Sequence, residues 1–218
     1  MGSFVVSPEI RAVLNDRDRL LVLRDLALID ADQEPVFDRL TRLASTIVGA
    51  PISVMTMVGD EYQFFKSAYG VGELRSTALS HSFCKHVVAD NAPLVIDDAR
   101  EHPVLYDNGA VADLGVIGYL GFPLNIASGK TLGSLCVVDV APRHWDAAEI
   151  EIIRELAEMV KEEIELRALV HRGAVSPEQL DDLHTTIFAF ADSIDVTAPK
   201  AQIAAQIRAE RQRLFSVA

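Results

Sequence analysis

Residues 118–145 read GYLGFPLNIASGKTLGSLCVVDVAPRHW, and this stretch decides the fold. Two apolar runs, Tyr119 to Ile126 and Leu132 to Val140, flank the short connection Ala127 to Thr131, which contains Gly129. Short connections with glycine join antiparallel strands into a hairpin. Neither run alternates cleanly between apolar and polar residues, so we expect layers on both faces of the sheet. This arrangement leaves room for a pocket between the sheet and a covering layer.

The segment before this hairpin begins with predicted helices. Ser7 followed by Pro8 is typical of a helix start, and the apolar spacing predicts a first helix that runs to about Ile29. Apolar residues at helical spacing over 36–48 predict a second, amphipathic helix that ends at Gly49.

Strands are predicted between this helix and residue 118. The β-branched run 52–58 and its partner 62–69 predict a first hairpin. A loop over 73–80, a short helix starting near Ser80 or Ser82, and a strand over 94–96 follow.

Helices are again predicted after the hairpin of residues 118–145. Asp146 is expected to cap a long helix that reaches about Val170. Such a helix is longer than a compact layer needs, so we expect its far end to pack against the N-terminal helix or another subunit. Ser176 and Thr197 are expected to begin two tail helices.

Ordered motifs along the chain resemble those of the GAF domain family, a family of small-molecule sensor modules. The motifs are Phe64 to Ser67 with Gly70, Ser82 to Cys84 with His86, Leu94 to Arg100, Tyr119 with Gly121, Pro123 and Leu124, Gly129 with Leu132 to Cys136 and Asp139, and Pro142 with Arg143. The resemblance implies an α+β fold with a central antiparallel sheet of five to six strands, helices on both faces, and flanking N- and C-terminal helices. It divides the chain into an N-terminal flanking helix over 1–31, a GAF domain over 32–170 and a C-terminal helical appendage over 171–218. Flanking helices of GAF proteins commonly form dimer bundles, so the resemblance also implies a homodimer through these helices.

Composition excludes several classes of partner. The net charge of −12 opposes binding to a phosphate backbone, so no nucleic-acid partner is expected. Arg208 to Arg213 is the one locally basic stretch, and we interpret it as a solvated helix face. No apolar run approaches the roughly 20 residues of a membrane span, and the N-terminus lacks the pattern of a secretory signal. We therefore predict a cytoplasmic protein with no membrane partner, in which Cys84 and Cys136 stay free thiols.

The stretch from His81 to His86 holds the richest cluster of reactive side chains. Cys84 lies near a predicted helix start, which makes it the candidate reactive thiol, although packing is an alternative role. Cys136 lies within an apolar strand and is expected to serve packing. No second Cys or His pair with metal spacing follows, so we predict no metal site.

Known activities of the family find little support in the motifs. One GAF lineage reduces free methionine sulfoxide through cysteines, but its cysteine arrangement is not recognisable here, so we expect no enzyme. The signatures for cyclic nucleotides and for bilin attachment are also missing. Haem stays open, with His81, His86, His102 or His144 as an axial ligand, and the cofactor is otherwise unknown.

A small ligand is expected to contact the start of the short helix, the segment 101–117 and the neighbouring strands. The predicted ligand-binding residues are Phe65, Ser82, Phe83, Cys84, Asp97, Tyr106, Tyr119, Phe122 and Asp139. Asp97 and Asp139 have the alternative role of capping turns at strand ends.

These observations predict a non-catalytic sensor that binds an unidentified small molecule and transmits through flanking helices in a dimer, with a signalling protein as a further partner. Two alternatives stay open at this point. One is a protein-interaction scaffold whose pocket is filled by its own side chains, and the other is a thiol redox sensor that uses Cys84.

Overall fold

A single antiparallel sheet forms the centre of the protein, whose computed structural model describes residues 6–215. The strands are β1 (Ile52–Val58), β2 (Tyr62–Tyr69), β3 (Ser76–Ala78), β4 (Leu94–Ile96), β5 (Gly118–Asn125) and β6 (Thr131–Asp139). Their spatial order is β3-β2-β1-β6-β5-β4. The predicted hairpin is β5 and β6, and β6 also pairs with β1 at the centre of the sheet. The predicted α+β fold with five to six strands is confirmed, while β3 occupies part of the segment predicted as loop.

Helices cover both faces of this sheet. They are α1 (Pro8–Leu14), α2 (Arg17–Asp25), α3 (Pro35–Val48), α4 (Cys84–Asp90), α5 (Gly109–Leu114), α6 (Ala147–His171), α7 (Pro177–Ser193) and α8 (Lys200–Phe215). None of the helices in the described part of the chain is both long and apolar enough to span a membrane.

The first predicted helix is in fact two helices. Asn15 ends α1, and the side chain of Asp16 accepts a hydrogen bond from the backbone of Arg19 and so caps α2. A local capping interaction therefore interrupted an apolar pattern that continued through both helices.

Two apolar cores lie on opposite faces of the sheet. Alternation along β1 directs Met55 and Met57 into one core and Val54 and Val58 into the other. We call the first side the α6 face, because α3 and α6 pack on it and α8 packs on α6, and the second the α4 face, because α4 packs on it with α1 and α5 alongside. The expectation of layers on both faces is confirmed.

The long helix α6 packs against the C-terminal helices α7 and α8 of its own chain rather than against the first N-terminal helix, and contact of its far end with another subunit stays a prediction. Glu155 of α6 is 1% exposed and accepts hydrogen bonds from Arg208 and Arg211 of α8. The interpretation of this basic stretch as a solvated face was therefore wrong for Arg211, whose side chain is 18% exposed, whereas the Arg208 side chain is 44% exposed. Pairing with a buried carboxylate on another helix is a tertiary contact that charge spacing within α8 does not reveal.

Candidate functional site

A cavity of about 270 Å³ lies on the α4 face, between the sheet and its covering helices. Its lining from the strands is Ile52, Val54, Thr56, Gln63, Phe65, Tyr119, Cys136 and Val138. The covering side contributes Gly70, Val71, Leu74, His81, Phe83, Cys84, Ala110, Leu114 and Val116. Exposure rises from 1% at Cys136 to 41% at Leu114, which indicates that the cavity opens to solvent beside α5.

The position of the Tyr119 ring explains why glycine stands two residues further along β5. Tyr119 and Gly121 face the same side of the sheet, and the ring lies across Gly121. A Cβ atom on residue 121 would lie 2.3 Å from Oη of Tyr119, which is far below a normal contact distance. Because Gly121 has no side chain, Tyr119 can direct its hydroxyl towards α4.

Two thiols and the Tyr119 hydroxyl meet at the inner end of the cavity. Sγ of Cys84 lies 3.3 Å from Oη of Tyr119 and 3.9 Å from Sγ of Cys136. The Tyr119 hydroxyl is also 3.5 Å from Oγ of Ser134, and its ring packs against Phe83 with centroids 5.3 Å apart. The three groups form one contact network inside a cavity whose other lining residues are apolar apart from Thr56, Gln63 and His81.

The two thiols titrate as a pair. A hydrogen bond from Cys136, together with neighbouring hydroxyl groups, lowers the pKa of Cys84, although burial opposes this shift. The same hydrogen bond and burial raise the pKa of Cys136 well above its usual value. One thiol therefore loses its proton first, and the second proton is held more tightly.

Thr56 carries a polar atom without a partner. Its Oγ1 atom is buried on the cavity side of β1, is near enough to Cys84 to help lower the pKa of that thiol, and has no hydrogen-bond partner at ordinary distance in the structure. A buried hydroxyl without a partner costs about 1–3 kcal/mol relative to its hydrated state. This atom is therefore a natural anchor for a ligand in the cavity.

Ser82 positions the start of α4 from behind the cavity wall. Its Oγ atom accepts a hydrogen bond of 3.0 Å from the backbone of Lys85 and donates one of 2.6 Å to Oε1 of Gln63. Gln63 in turn donates to Thr77 of β3. Ser82 thereby ties the helix that begins with Cys84 to the edge of the sheet.

Four of the predicted ligand-binding residues line the cavity, namely Phe65, Phe83, Cys84 and Tyr119. The other five lie elsewhere. Ser82 is buried behind the wall, and Tyr106 is 58% exposed and outside the lining. Asp97 is paired with His144 beside the end of β4, and Asp139 is paired with Arg143 beside the end of β6 and caps a turn by accepting a hydrogen bond from the backbone of Ala141.

Phe122 must be removed from the predicted lining. It pairs with Leu135 in the sheet, and both side chains belong to the core on the α6 face. The physical reason is the two-residue period of a strand, because residues 119 and 122 are separated by an odd number of positions.

Cys136, Thr56 and His81 belong to the lining but were absent from the predicted set. Cys136 and Thr56 lie on neighbouring strands, since β6 pairs with β1. The alternation along each strand indicates which face they share, but only the register of β1 against β6 brings them to one cavity. His81 reaches the cavity from the 3₁₀ turn before α4, where its Nε2 atom is 2.8 Å from Oδ2 of Asp113.

The structure gives little support for a metal or haem site. Within residues 6–215, no group of three or more His, Cys, Asp and Glu side chains is arranged to hold a metal ion. Of the four histidines considered for haem, His81 lines the cavity, whereas His86, His102 and His144 do not.

Sequence comparison identifies a family. The profile of the GAF domain family matches residues 32–164, which is more than half of the chain. Among curated proteins, the cyclic di-GMP phosphodiesterase PA2567 of Pseudomonas aeruginosa is 28% identical over 130 residues. The match covers 59% of this chain and 22% of that protein, so the chain spans about a fifth of the relative's length.

Solved structures share the fold. The GAF domain of a phosphoenolpyruvate-protein phosphotransferase from Coxiella burnetii aligns with a TM-score of 0.51 at 19% identity, over 74% of this chain and 99% of that one. A free methionine-R-sulfoxide reductase from Neisseria meningitidis, in complex with its substrate, aligns with a TM-score of 0.50 at 16% identity, over 80% of this chain and 99% of that one. Because one fold serves different functions, these similarities do not decide between binding and catalysis.

Proposed function

The chain belongs to the GAF domain family, and on that premise we propose that it is a non-catalytic sensor that binds a small, largely apolar molecule in the cavity on the α4 face. GAF domains have a sensor and regulatory fold. The observation that carries the proposal is the cavity of about 270 Å³, which is close to the lower end of the range for small-molecule sites. Ligand sites are typically apolar with a few placed polar groups, and this cavity has that composition.

The polar groups favour a ligand with one hydrogen-bonding end. Thr56 offers an unpartnered hydroxyl at the sheet, while His81 is placed on the covering side and pairs with Asp113. Between them the walls are apolar. We therefore propose a compact ligand whose polar atom contacts Thr56 and whose body fills the space beside Val54 and Phe83.

The absence of catalysis is part of the proposal. A cysteine nucleophile is activated either by a general base within hydrogen-bonding reach or by a lowered thiol pKa. In the described part of the chain, Cys84 contacts Tyr119 and Cys136, and the pKa of Tyr119 is raised well above its usual value by burial. Neither partner is a base at neutral pH, so Cys84 has the lowered pKa without a general base, and the proposal is binding rather than turnover.

The N-terminal helices are the route by which we propose that binding is transmitted. The helix α4, which starts at Cys84 in the cavity wall, packs directly against α1. The strand β1, which also lines the cavity, ends at Val58, whose carbonyl oxygen accepts a hydrogen bond from Arg19 of α2. The C-terminal helices lie beyond the sheet, on the α6 face, so their route to the cavity is indirect.

The homodimer, the signalling partner and the cytoplasmic location stay proposals. Multi-angle light scattering over a range of protein concentrations measures the dimer, and a monomer at every concentration would contradict it. The scaffold alternative requires a filled pocket, so the cavity argues against it.

A metabolite screen by thermal shift, combined with native mass spectrometry of freshly purified protein, tests the sensor. We expect a retained molecule or a stabilising metabolite. Ala110→Leu places extra atoms inside the cavity and should abolish the stabilisation, whereas Ala112→Leu on the exposed side of α5 should preserve it. A protein with neither a retained molecule nor a stabilising metabolite would contradict the sensor, and equal stabilisation of the Ala110→Leu variant would contradict binding in this cavity.

A further inference from the structure

The contact between the Cys84 and Cys136 thiols indicates what kind of molecule reacts in the cavity. We propose that Cys84 and Cys136 are an oxidisable dithiol, which an organic hydroperoxide entering the cavity converts into an intramolecular disulfide. This inference rests on the proposed function in one respect, because it uses the same cavity as the site of a chemical signal. It goes beyond that function by assigning a modification to both cysteines and a chemical class to the molecule that causes it.

The geometry of the two side chains carries the proposal. Their Sγ atoms are 3.9 Å apart, and a disulfide bond is about 2.05 Å long, so the sulfur atoms must approach by about 1.9 Å. Cys84 lies in the first turn of α4, and Cys136 lies in β6, against which α4 packs. The bond would therefore join a covering helix to the centre of the sheet across one existing contact.

The cavity gives an oxidant a path to these buried atoms. Cys84 and Cys136 are 4% and 1% exposed, yet both line the cavity that opens beside Leu114. The walls on the way are apolar, with Val71, Leu74 and Val116 partly exposed at the covering side. An apolar wall favours an oxidant with a hydrocarbon body over hydrogen peroxide, which is strongly hydrated.

Cys84 is the thiol that reacts first. It has two neighbours able to donate a hydrogen bond to its thiolate, the Tyr119 hydroxyl at 3.3 Å and the Cys136 thiol at 3.9 Å. The unpartnered Thr56 hydroxyl lies in the same cavity wall. Hydrogen bonds to the charged form stabilise a thiolate, which is the nucleophilic form of cysteine.

The reaction is balanced without a further reactant. The Cys84 thiolate attacks the terminal oxygen of the hydroperoxide, the oxygen–oxygen bond breaks, and the departing alkoxide takes up the proton released by Cys84 to become an alcohol. Cys136 then attacks the sulfur of the resulting sulfenic acid, and hydroxide leaves with the Cys136 proton as water. Two thiols lose two electrons to form the disulfide, and the hydroperoxide gains them.

The disulfide would alter the position of α4. Since α1 packs against α4, drawing Cys84 towards β6 shifts the contact through which we propose that the cavity communicates with the N-terminal helices. Binding and oxidation would then use the same output. A thiol reductant returns the pair to its starting state.

The closing experiment treats the reduced full chain with cumene hydroperoxide and measures intact mass, free thiols and the cross-linked peptide. We expect loss of two hydrogen atoms, loss of both alkylatable thiols under denaturing conditions, and a peptide that joins Cys84 to Cys136. A chain that keeps both thiols free, or forms only disulfides between molecules, would overturn the proposal.

Single cysteine variants separate the role of Cys84, which attacks the peroxide, from that of Cys136, which attacks the sulfenic acid. With Cys136→Ser we expect a sulfenic acid at Cys84 that dimedone traps, and with Cys84→Ser we expect Cys136 to stay reduced. Circular dichroism establishes that each variant is folded, and Ala112→Leu, on the exposed side of α5, serves as a folded control that still forms the disulfide. Oxidation of Cys136 in the Cys84→Ser variant at the wild-type rate would overturn the assignment of Cys84 as the attacking thiol.

The rate of disulfide formation tests which class of peroxide reacts and whether it enters through the cavity. We expect cumene hydroperoxide to react roughly tenfold faster than hydrogen peroxide, and Ala110→Leu, but not Ala112→Leu, to slow it by a similar factor, because access limits the reaction of buried thiols. Equal rates for the two peroxides would overturn the proposed oxidant class. If a metabolite stabilises the protein and no disulfide forms, the proposed sensor function is supported and the dithiol proposal fails. If the disulfide forms and no metabolite binds, the dithiol proposal is supported and the proposed sensor function fails.

Discussion

The guanidinium group of Arg19 donates a hydrogen bond of 2.5 Å to the carbonyl oxygen of Val58, joining α2 to the end of a strand that lines the cavity. Its second nitrogen donates to the carbonyl oxygen of Leu14, the last residue of α1. Arg19 is 1% exposed, and burial lowers its pKa to about 10. One side chain therefore fixes both N-terminal helices to the sheet.

Arg19→Met should destabilise the protein by about 3 kcal/mol, because it leaves two buried carbonyl groups without their charged donor. Urea unfolding followed by circular dichroism measures the change. Arg17→Met is the matched control, since Arg17 is exposed on the same helix and its loss should cost less than about 0.5 kcal/mol. Equal costs for the two variants would contradict the anchoring role.

Thr56→Val should stabilise the empty protein by about 1 kcal/mol, because it replaces an unpartnered buried hydroxyl with an apolar group of similar shape. The same change should weaken a ligand found in the screen by about three- to tenfold, since that ligand loses one hydrogen bond. Thr41→Val is the control, because Thr41 of α3 also has an unpartnered buried hydroxyl but lies outside the cavity. Calorimetry should show unchanged ligand affinity for that variant, and an equal loss in both would contradict the anchor.

His86 should make stability fall as the pH falls. Burial, and then the neighbouring Lys85, lower its pKa from 6.5 to about 4, with Asp90 opposing the shift and His102 reinforcing it. Between these two values the unfolded chain binds a proton that the folded chain does not, so stability is lost as the pH drops from 6.5 to 4. We expect the loss to be about 1–2 kcal/mol, discounted because the ring is partly exposed.

Urea unfolding at a series of pH values tests this prediction. His86→Gln should flatten the curve between pH 6.5 and 4, while His171→Gln, at an exposed position on α6, should leave the wild-type slope. An unchanged slope in His86→Gln would show that other groups cause the pH dependence.

Gly121→Ala should displace the Tyr119 ring, because the new Cβ atom cannot lie 2.3 Å from Oη. We expect a loss of about 1–3 kcal/mol from overpacking, together with a change in the near-ultraviolet circular dichroism of tyrosine. In a Tyr119→Ala background the same substitution should cost almost nothing, so a double-mutant cycle isolates the contact. Additive costs in the cycle would contradict it.

The hairpin and the central sheet followed from local rules. The connection at Gly129, the helix end at Gly49 and the start of α6 at Asp146 depend on residues close in sequence, and the structure has each of them. The prediction of one continuous first helix to about Ile29 was wrong, because a continuous apolar stripe concealed the helix end at Asn15 and the cap at Asp16. Phe122 is three residues after Tyr119 on the same strand, so the alternation of side chains places the two on opposite faces of the sheet. This rule alone excludes Phe122 from the cavity.

The sequence by itself determined most of the elements, the two covered faces of the sheet and the family resemblance, since periodicity, turn residues and ordered motifs are local properties of the chain. Only the tertiary structure decided that Cys136 lies beside Cys84, that Thr56 lacks a partner and that α8 covers α6. These relationships depend on strand register and on the packing of distant helices. Such contacts join residues far apart in the chain, and no local pattern specifies which of them meet.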